Sequence, residues 1–269
     1  MTQDTSSEGF VYLVGAGPGD PSYITLRAIQ CLKLAEIVLY DYLVNPHILQ
    51  HVSADVECIC MGRHGAGKLW NQDDINTECI RLAKQGLRVV RLKGGDPAIF
   101  ARAAEEALAF EKAEIGYEIV PGITAALAAG TCAGIPLTHR EKASAVALIT
   151  GHERGGKGES SLDFGALAQF PGTLVFYMGV TTSRSWTSAL MEHGMLHNTP
   201  VAIVRKISCP EQVTVKCTLD EVADYFDGEN RIRPPAIVII GDVVRDTELT
   251  SWFEQRPLFG QRILVTRAA

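Results

Sequence analysis

The stretch VVRLKGGDPAIF, residues 89–100, decides how this chain is read. Val89, Val90 and Leu92 form a β-branched apolar run with two-residue alternation, which predicts a strand, and the run empties into Gly94, Gly95, Asp96 and Pro97, where no Cβ crowds the backbone. In open α/β sheets small molecules sit beyond the carboxyl ends of the strands, so bare backbone beside one carboxylate and one rigid Pro suits a pocket wall. A tight strand-to-helix turn is the other reading of the same residues.

The segments on either side repeat this pattern. Residues 10–14 predict a strand ending in GAGPGDP, 23–35 a helix, 37–40 a second strand stopping at Asp41, 45–52 a short helix and 56–61 a strand. Then come a basic glycine loop, 62–68, suited to closing over an anion or to lying solvated, a helix over 73–85 opened by Asn71 or Gln72, and the strand 87–92. Downstream, 98–112 predicts an alanine-rich helix with Arg102 and Glu106 one turn apart, 117–120 a strand ending in PGIT, and 125–133 a small-residue helix. Strands alternating with helices imply a parallel, doubly wound sheet whose glycine and proline loops share one rim.

The loop after the first strand also invites a dinucleotide reading, with Asp41 about twenty residues on, where a ribose carboxylate would stand. That reading fails in detail. Asp20 occupies the place of the third glycine, its charge would repel a pyrophosphate, and Pro18 removes a backbone donor.

From about residue 136 the pattern changes. Strands are predicted at 145–150, 173–177, 200–204, 212–218 and 236–240, with helices at 183–193 and 219–226 and a glycine- and charge-rich loop at 151–161, an order that implies a mixed sheet. After residue 245 a docking segment and a linker lead into a fresh apolar strand within 261–269.

Hydrophobic residues make up 46% and charged residues 21% of the 269, enough to bury a core in two modest domains. A formal charge of −6 excludes a general attraction to nucleic acid or anionic lipid, so an anionic substrate must meet a local Arg or Lys cluster. The polar N-terminus and the lack of an apolar run of about 18 residues predict a soluble, cytoplasmic protein with no membrane partner. The seven Cys are scattered without a CxxC pair and read as reduced thiols, and HGMLH at 193–197 lacks the Glu of a zinc helix, so no metal is expected.

Taken in order, VGAGPGDPSYITLRA, IVLYDYLV, VVRLKGGDPAIFARAAEE, VPGITAALAAGTCAGIPLTHR, TLVFYMG and PPAIVIIGDVV resemble the uroporphyrinogen-III C-methyltransferases of the tetrapyrrole methylase group over about residues 10–245. The resemblance implies the tetrapyrrole methylase fold, two α/β domains at 10–123 and 124–245 with a cleft between them, after a disordered 1–9. It implies a homodimer that uses S-adenosylmethionine to methylate a tetrapyrrole at two ring carbons. Carried over by resemblance, the cofactor contacts are Pro18, Gly94, Gly95, Asp96, Ile99, Thr124, Ala125 and Met178, the proton acceptor is Asp41, and Arg102, Glu105 and Arg140 engage the tetrapyrrole. Arg63 stands at the family's proton-donor position, where Lys is usual; a guanidinium gives up its proton too reluctantly, so carboxylate binding is its better role. LFGQRILVTRAA resembles the opening of a uroporphyrinogen-III synthase, which implies that 246–269 are a linker and the truncated start of a second enzyme domain.

Overall fold

The computed structural model describes residues 9–62, 70–152, 160–245 and 251–266. Arg63, the rest of the basic loop and most of the 151–161 loop lie outside the described residues. The chain forms two compact units, one ending at Ala125 and the other beginning at Ala126.

The first unit holds five strands, β1 (Phe10–Gly15), β2 (Ile37–Tyr40), β3 (Glu57–Cys60), β4 (Arg88–Lys93) and β5 (Gly116–Val120), in the order β3-β2-β4-β1-β5. All the pairings are parallel, as the alternation of strands and helices predicts. Period-two alternation divides the strands between two cores. Val11, Leu13, Leu39 and Val89 pack with Cys79 and Phe110 from helices α2 (Gln72–Lys84) and α3 (Ala103–Lys112). Val14, Val38, Val90 and Leu92 pack on the other face with Ala28 and Leu32 of α1 (Leu26–Leu34).

The second unit opens on α4 (Ala125–Ala133) and carries β6 (Val146–Thr150), β7 (Thr173–Tyr177), β8 (Pro200–Arg205), β9 (Val213–Thr218) and β10 (Ala236–Ile240), ordered β6-β7-β10-β8-β9. Only β6 and β7 run parallel and the other pairings are antiparallel, which is the mixed sheet expected. Phe176, Val201 and Val238 face Trp186 and Leu190 of α6 (Ser183–Glu192) and Phe226 of α7 (Val222–Phe226), and Trp186 stacks on Phe176 at 4.4 Å between ring centroids.

Several boundaries differ from the sequence expectation for local reasons. Thr25 caps α1 through the Ala28 amide, so the helix begins at Leu26 and not at Tyr23. Residues 46–51 form a 3-10 turn behind Pro46. The largest correction concerns α3, which starts at Ala103 and not at Ala98, because Phe100 (φ 50°) and Arg102 (φ 59°) lie in the left-handed region. Arg102 therefore does not share a helical face with Glu106; it grips Glu105, while Glu106 turns inward. A short helix, α5 (Phe164–Ala168), capped by Asp163, was not expected: five residues carry too little periodicity to be read. The strand expected from residue 261 is not formed over 261–266, where Leu264 is 87% exposed and no neighbouring strand supplies a ladder.

Candidate functional site

Three loops leave the carboxyl ends of β1, β4 and β5 and are stitched together by backbone. Gly17 and Gly95 exchange hydrogen bonds, Gly17 N donating to Gly95 O (3.1 Å) and Gly95 N donating to Gly17 O (2.8 Å). Asp96 joins the third loop: its Oδ2 accepts from Gly122 N at 2.9 Å and its Oδ1 from Ala98 N at 2.8 Å. A Cβ on Gly122 would stand 2.2 Å from Gly95 O, so glycine there is required by the close approach of two loops' backbones. Gly94 and Gly95 differ, since an added Cβ would meet nothing nearer than 3.7 Å at either position. Both stand at the rim where β4 ends, with room for ordinary contact and no clash. Pro18, Ile99 and Ala125 are half-buried around this junction and Thr124 is buried.

Asp20, the residue that breaks a dinucleotide pattern, caps the turn Pro21–Tyr23 by accepting from Ser22 N at 2.9 Å. Asn45 Nδ2 donates to Gly19 O at 2.7 Å and ties the loop after β2 to the loop after β1.

Beneath the glycine loops lies a cluster of buried charge that the reading of the sequence passed over. Arg91 and Lys93 occupy the same face of β4 as Val89, and both are buried to within 2%. Arg91 Nη2 donates to Asp41 Oδ1, and its Nη1 to Leu92 O at 3.3 Å. Lys93 Nζ donates to Glu106 Oε1 at 2.6 Å, and Gln72 Nε2 donates to the same oxygen at 2.8 Å. Arg91 Nε stands 3.6 Å from that oxygen. Burial, together with the Arg91 charge, holds the Lys93 ammonium below its usual range. Burial works against the Arg91 guanidinium too, but Asp41 and Glu106 outweigh it and raise its pKa. The same burial pushes the neighbouring Cys79 thiol up to about 12. The signal was available in VVRLK: two cations at inward positions of a central strand require partners.

Arg102 and Glu105 sit at the start of α3 as an exposed bidentate pair, and the hydrogen bond that Arg102 donates to Glu105 raises the guanidinium's pKa. The left-handed backbone at Phe100 and Arg102 is uncommon for residues with a Cβ and fixes where the Arg102 side chain begins.

The first unit thus gathers Pro18, Asp41, Gly94, Gly95, Asp96, Ile99, Arg102, Glu105, Thr124 and Ala125 at and near its loop rim. Met178 and Arg140 belong to the second unit. Met178 follows β7 with φ 53° and is 47% exposed, a strained and solvent-facing position for an apolar side chain. Arg140 lies exposed on the turn closed by the His139 and Ala143 backbones. Tyr177, beside Met178, accepts from Ala126 N at 2.9 Å through its hydroxyl and so holds the start of α4. Among the described residues no group of three or more His, Cys, Asp or Glu is placed to hold a metal ion.

These features agree with what the chain is similar to. The family described as Tetrapyrrole (Corrin/Porphyrin) Methylases matches residues 11–223. A uroporphyrinogen-III C-methyltransferase of Bacillus subtilis is 43% identical over 257 residues, covering 96% of this chain and 53% of the relative. The chain thus spans about half the length of that relative. An S-adenosyl-L-methionine-dependent uroporphyrinogen III methyltransferase of Methanosarcina barkeri is 44% identical over 236 residues, covering 88% of this chain and 92% of the relative. Among solved structures, the uroporphyrin-III C-methyl transferase of Thermus thermophilus in complex with S-adenyl homocysteine superposes with a TM-score of 0.75 at 39% identity, covering 88% of this chain and 99% of that one. With this order of strands, these glycine junctions and a match across most of its length, the chain belongs to the tetrapyrrole methylases.

Proposed function

We propose that this chain is an S-adenosylmethionine-dependent methyltransferase that adds methyl groups to two ring carbons, C2 and C7, of uroporphyrinogen III and gives precorrin-2 for sirohaem, cobalamin or haem d1 synthesis. The observation that carries the reading is the junction of Gly17, Gly95, Asp96 and Gly122, with Gly94 and Gly95 presenting open backbone at the end of β4. The names of the relatives in Bacillus subtilis and Methanosarcina barkeri, and the S-adenyl homocysteine of the Thermus thermophilus structure, support the same substrate and cofactor.

The residues fit the cofactor. The residues proposed to hold it are Pro18, Gly94, Gly95, Ile99, Thr124, Ala125 and the polarizable, exposed Met178. Asp96, with both oxygens engaged by backbone amides, acts by holding the loops in register. When bound, S-adenosylmethionine supplies an electrophilic methyl group on a sulfonium. The protein's part is to align a pyrrole carbon with it and exclude water. Asp41 takes or holds a pyrrole proton and makes the ring more nucleophilic. Arg102 and Arg140 fork onto the acetate and propionate groups, Glu105 orients Arg102, and Arg63 adds a further carboxylate ligand. The net charge of −6 makes these local cations necessary.

In this reading the protein is a cytoplasmic homodimer. Its seven free cysteines support the compartment. The domain limits of this reading are those given for the sequence, 10–123 and 124–245.

The test is anaerobic incubation with uroporphyrinogen III and S-adenosylmethionine, followed by mass spectrometry. Two added methyl groups per tetrapyrrole are expected; methylation of a later corrinoid with none on uroporphyrinogen III would overturn the substrate. Arg102→Ala and Arg140→Ala should each raise the tetrapyrrole KM by about 10-fold to 100-fold, the worth of a charged hydrogen bond. An unchanged KM in both variants would reject the carboxylate clamp.

A further inference from the structure

We propose that Glu106 is a positioning residue for methyl transfer, and that with Lys93 it sets how firmly Arg91 holds the Asp41 carboxylate; the proposal rests on the reading of Asp41 given above.

Four charges form the cluster. Glu106 Oε1 is taken by Lys93 at 2.6 Å and by Gln72 at 2.8 Å, and Gln72 is in turn fixed by Asn76 Oδ1 at 3.0 Å. With that oxygen occupied, Arg91 Nε stays 3.6 Å away and makes no hydrogen bond, while the far end of the same guanidinium reaches Asp41. Arg91 thus lies between two carboxylates, hydrogen-bonded to the one at the rim and held to the other only as an ion pair at 3.6 Å. Among the described residues Arg91 Nε and Glu106 Oε2 have no hydrogen-bond partner. Such a cluster is a poor device for stability alone, since apolar residues of the same volume would avoid the desolvation of four charges. Its place argues for function: Lys93 immediately precedes Gly94, Arg91 stands two residues before Lys93 on the same face, and Asp41 N donates to Leu92 O at 3.1 Å, which pins the carboxylate beside the end of β4.

The groups that face the cluster are Asp41 from the loop after β2, Arg91 and Lys93 from β4, Cys79 from α2 and Glu106 from α3, with Arg102, Asp73 and Glu78 next outward. The four core charges cancel. Glu106→Gln leaves an extra positive charge facing Asp41, so its carboxylate becomes harder to protonate. Lys93→Met frees Glu106 to draw Arg91 away, and Asp41 becomes easier to protonate. The double variant restores neutrality.

The experiment is the pH profile of kcat/KM for uroporphyrinogen III with wild type, Glu106→Gln, Lys93→Met and the double variant, with circular dichroism to establish folding. The acid limb should move down by about one pH unit in Glu106→Gln and up by about one in Lys93→Met, as expected for one unit charge nearby. In the double variant it should return to within a few tenths of wild type. If one single variant does not fold, the other and the double still decide; if neither folds, Glu106→Asp, whose shorter reach should lower kcat with KM unchanged, decides with the double. Folded variants that lose activity with the wild-type profile, or a Glu106→Asp with wild-type kcat, would overturn the proposal. Wild-type protein with no activity on uroporphyrinogen III at any pH would instead overturn the proposed function.

Discussion

Gly94→Ala should leave the protein as stable as the wild type and reduce its affinity for S-adenosylhomocysteine by at least about 100-fold, whereas Gly122→Ala should damage the fold itself. The contrast follows from what each Cβ would meet. At Gly94 the nearest atom is Leu43 Cβ at 3.7 Å, ordinary contact, and its φ is not in the left-handed region. A methyl group there costs the free protein little but occupies the space through which a ligand would approach the backbone. At Gly122 a Cβ would lie 2.2 Å from Gly95 O and 2.9 Å from Gly15 Cα, both main-chain atoms that cannot swing aside. Overpacking of this kind costs about 1–3 kcal/mol, and it also displaces the amide that Asp96 accepts from. Thermal unfolding should therefore fall by on the order of 10 °C in Gly122→Ala and stay unchanged in Gly94→Ala. Calorimetric titration with S-adenosylhomocysteine gives the other half. Wild-type affinity in Gly94→Ala would remove that loop from the cofactor site.

The two glycines also show what the sequence could and could not reveal. That GGDP lines a rim was legible, because a β-branched run ending in glycines has few other uses in a parallel sheet. That one glycine of the set is for packing and another for access was not, since the distinction depends on which loop lies opposite. The same limit explains α3. Its alanine-rich composition suits a helix from residue 98, yet the chain holds Phe100 and Arg102 left-handed, and Asp96 spends a carboxylate oxygen on Ala98 N and not on a helical first turn. Local propensity was overridden by the geometry of the loop junction. Glu106 followed from that error: placed on an exposed face with Arg102, it read as half of a surface pair, whereas the late start of α3 turns it into the core against Lys93. The parallel first sheet and the mixed second one were readable, since they follow from the alternation of long apolar segments; the order of the strands within each sheet was not.

Asp41→Asn should abolish nearly all methyl transfer, about 100-fold to 10,000-fold in kcat, while S-adenosylhomocysteine still binds within about two-fold of wild type. The amide keeps the shape of the carboxylate and still offers Arg91 an oxygen, so the guanidinium does not lose every acceptor. It loses the opposite charge, and Arg91 is buried, so some stability is lost as well; the part that Glu106 compensates limits this to about 1–3 kcal/mol. Transfer suffers for a separate reason. A neutral amide can neither accept a pyrrole proton nor hold its N–H through a charge-assisted bond, so the ring carbon stays a weak nucleophile however well the methyl group is aligned. Ligand binding is spared because the Gly17 and Gly95 junction is held by its own backbone bonds. Stopped-time methyl transfer under saturating substrates, run beside calorimetric binding and thermal unfolding, separates the three effects. Wild-type turnover in a folded Asp41→Asn would show that the Asp41 and Arg91 pair serves the fold alone, and would place the proton acceptor elsewhere on the rim.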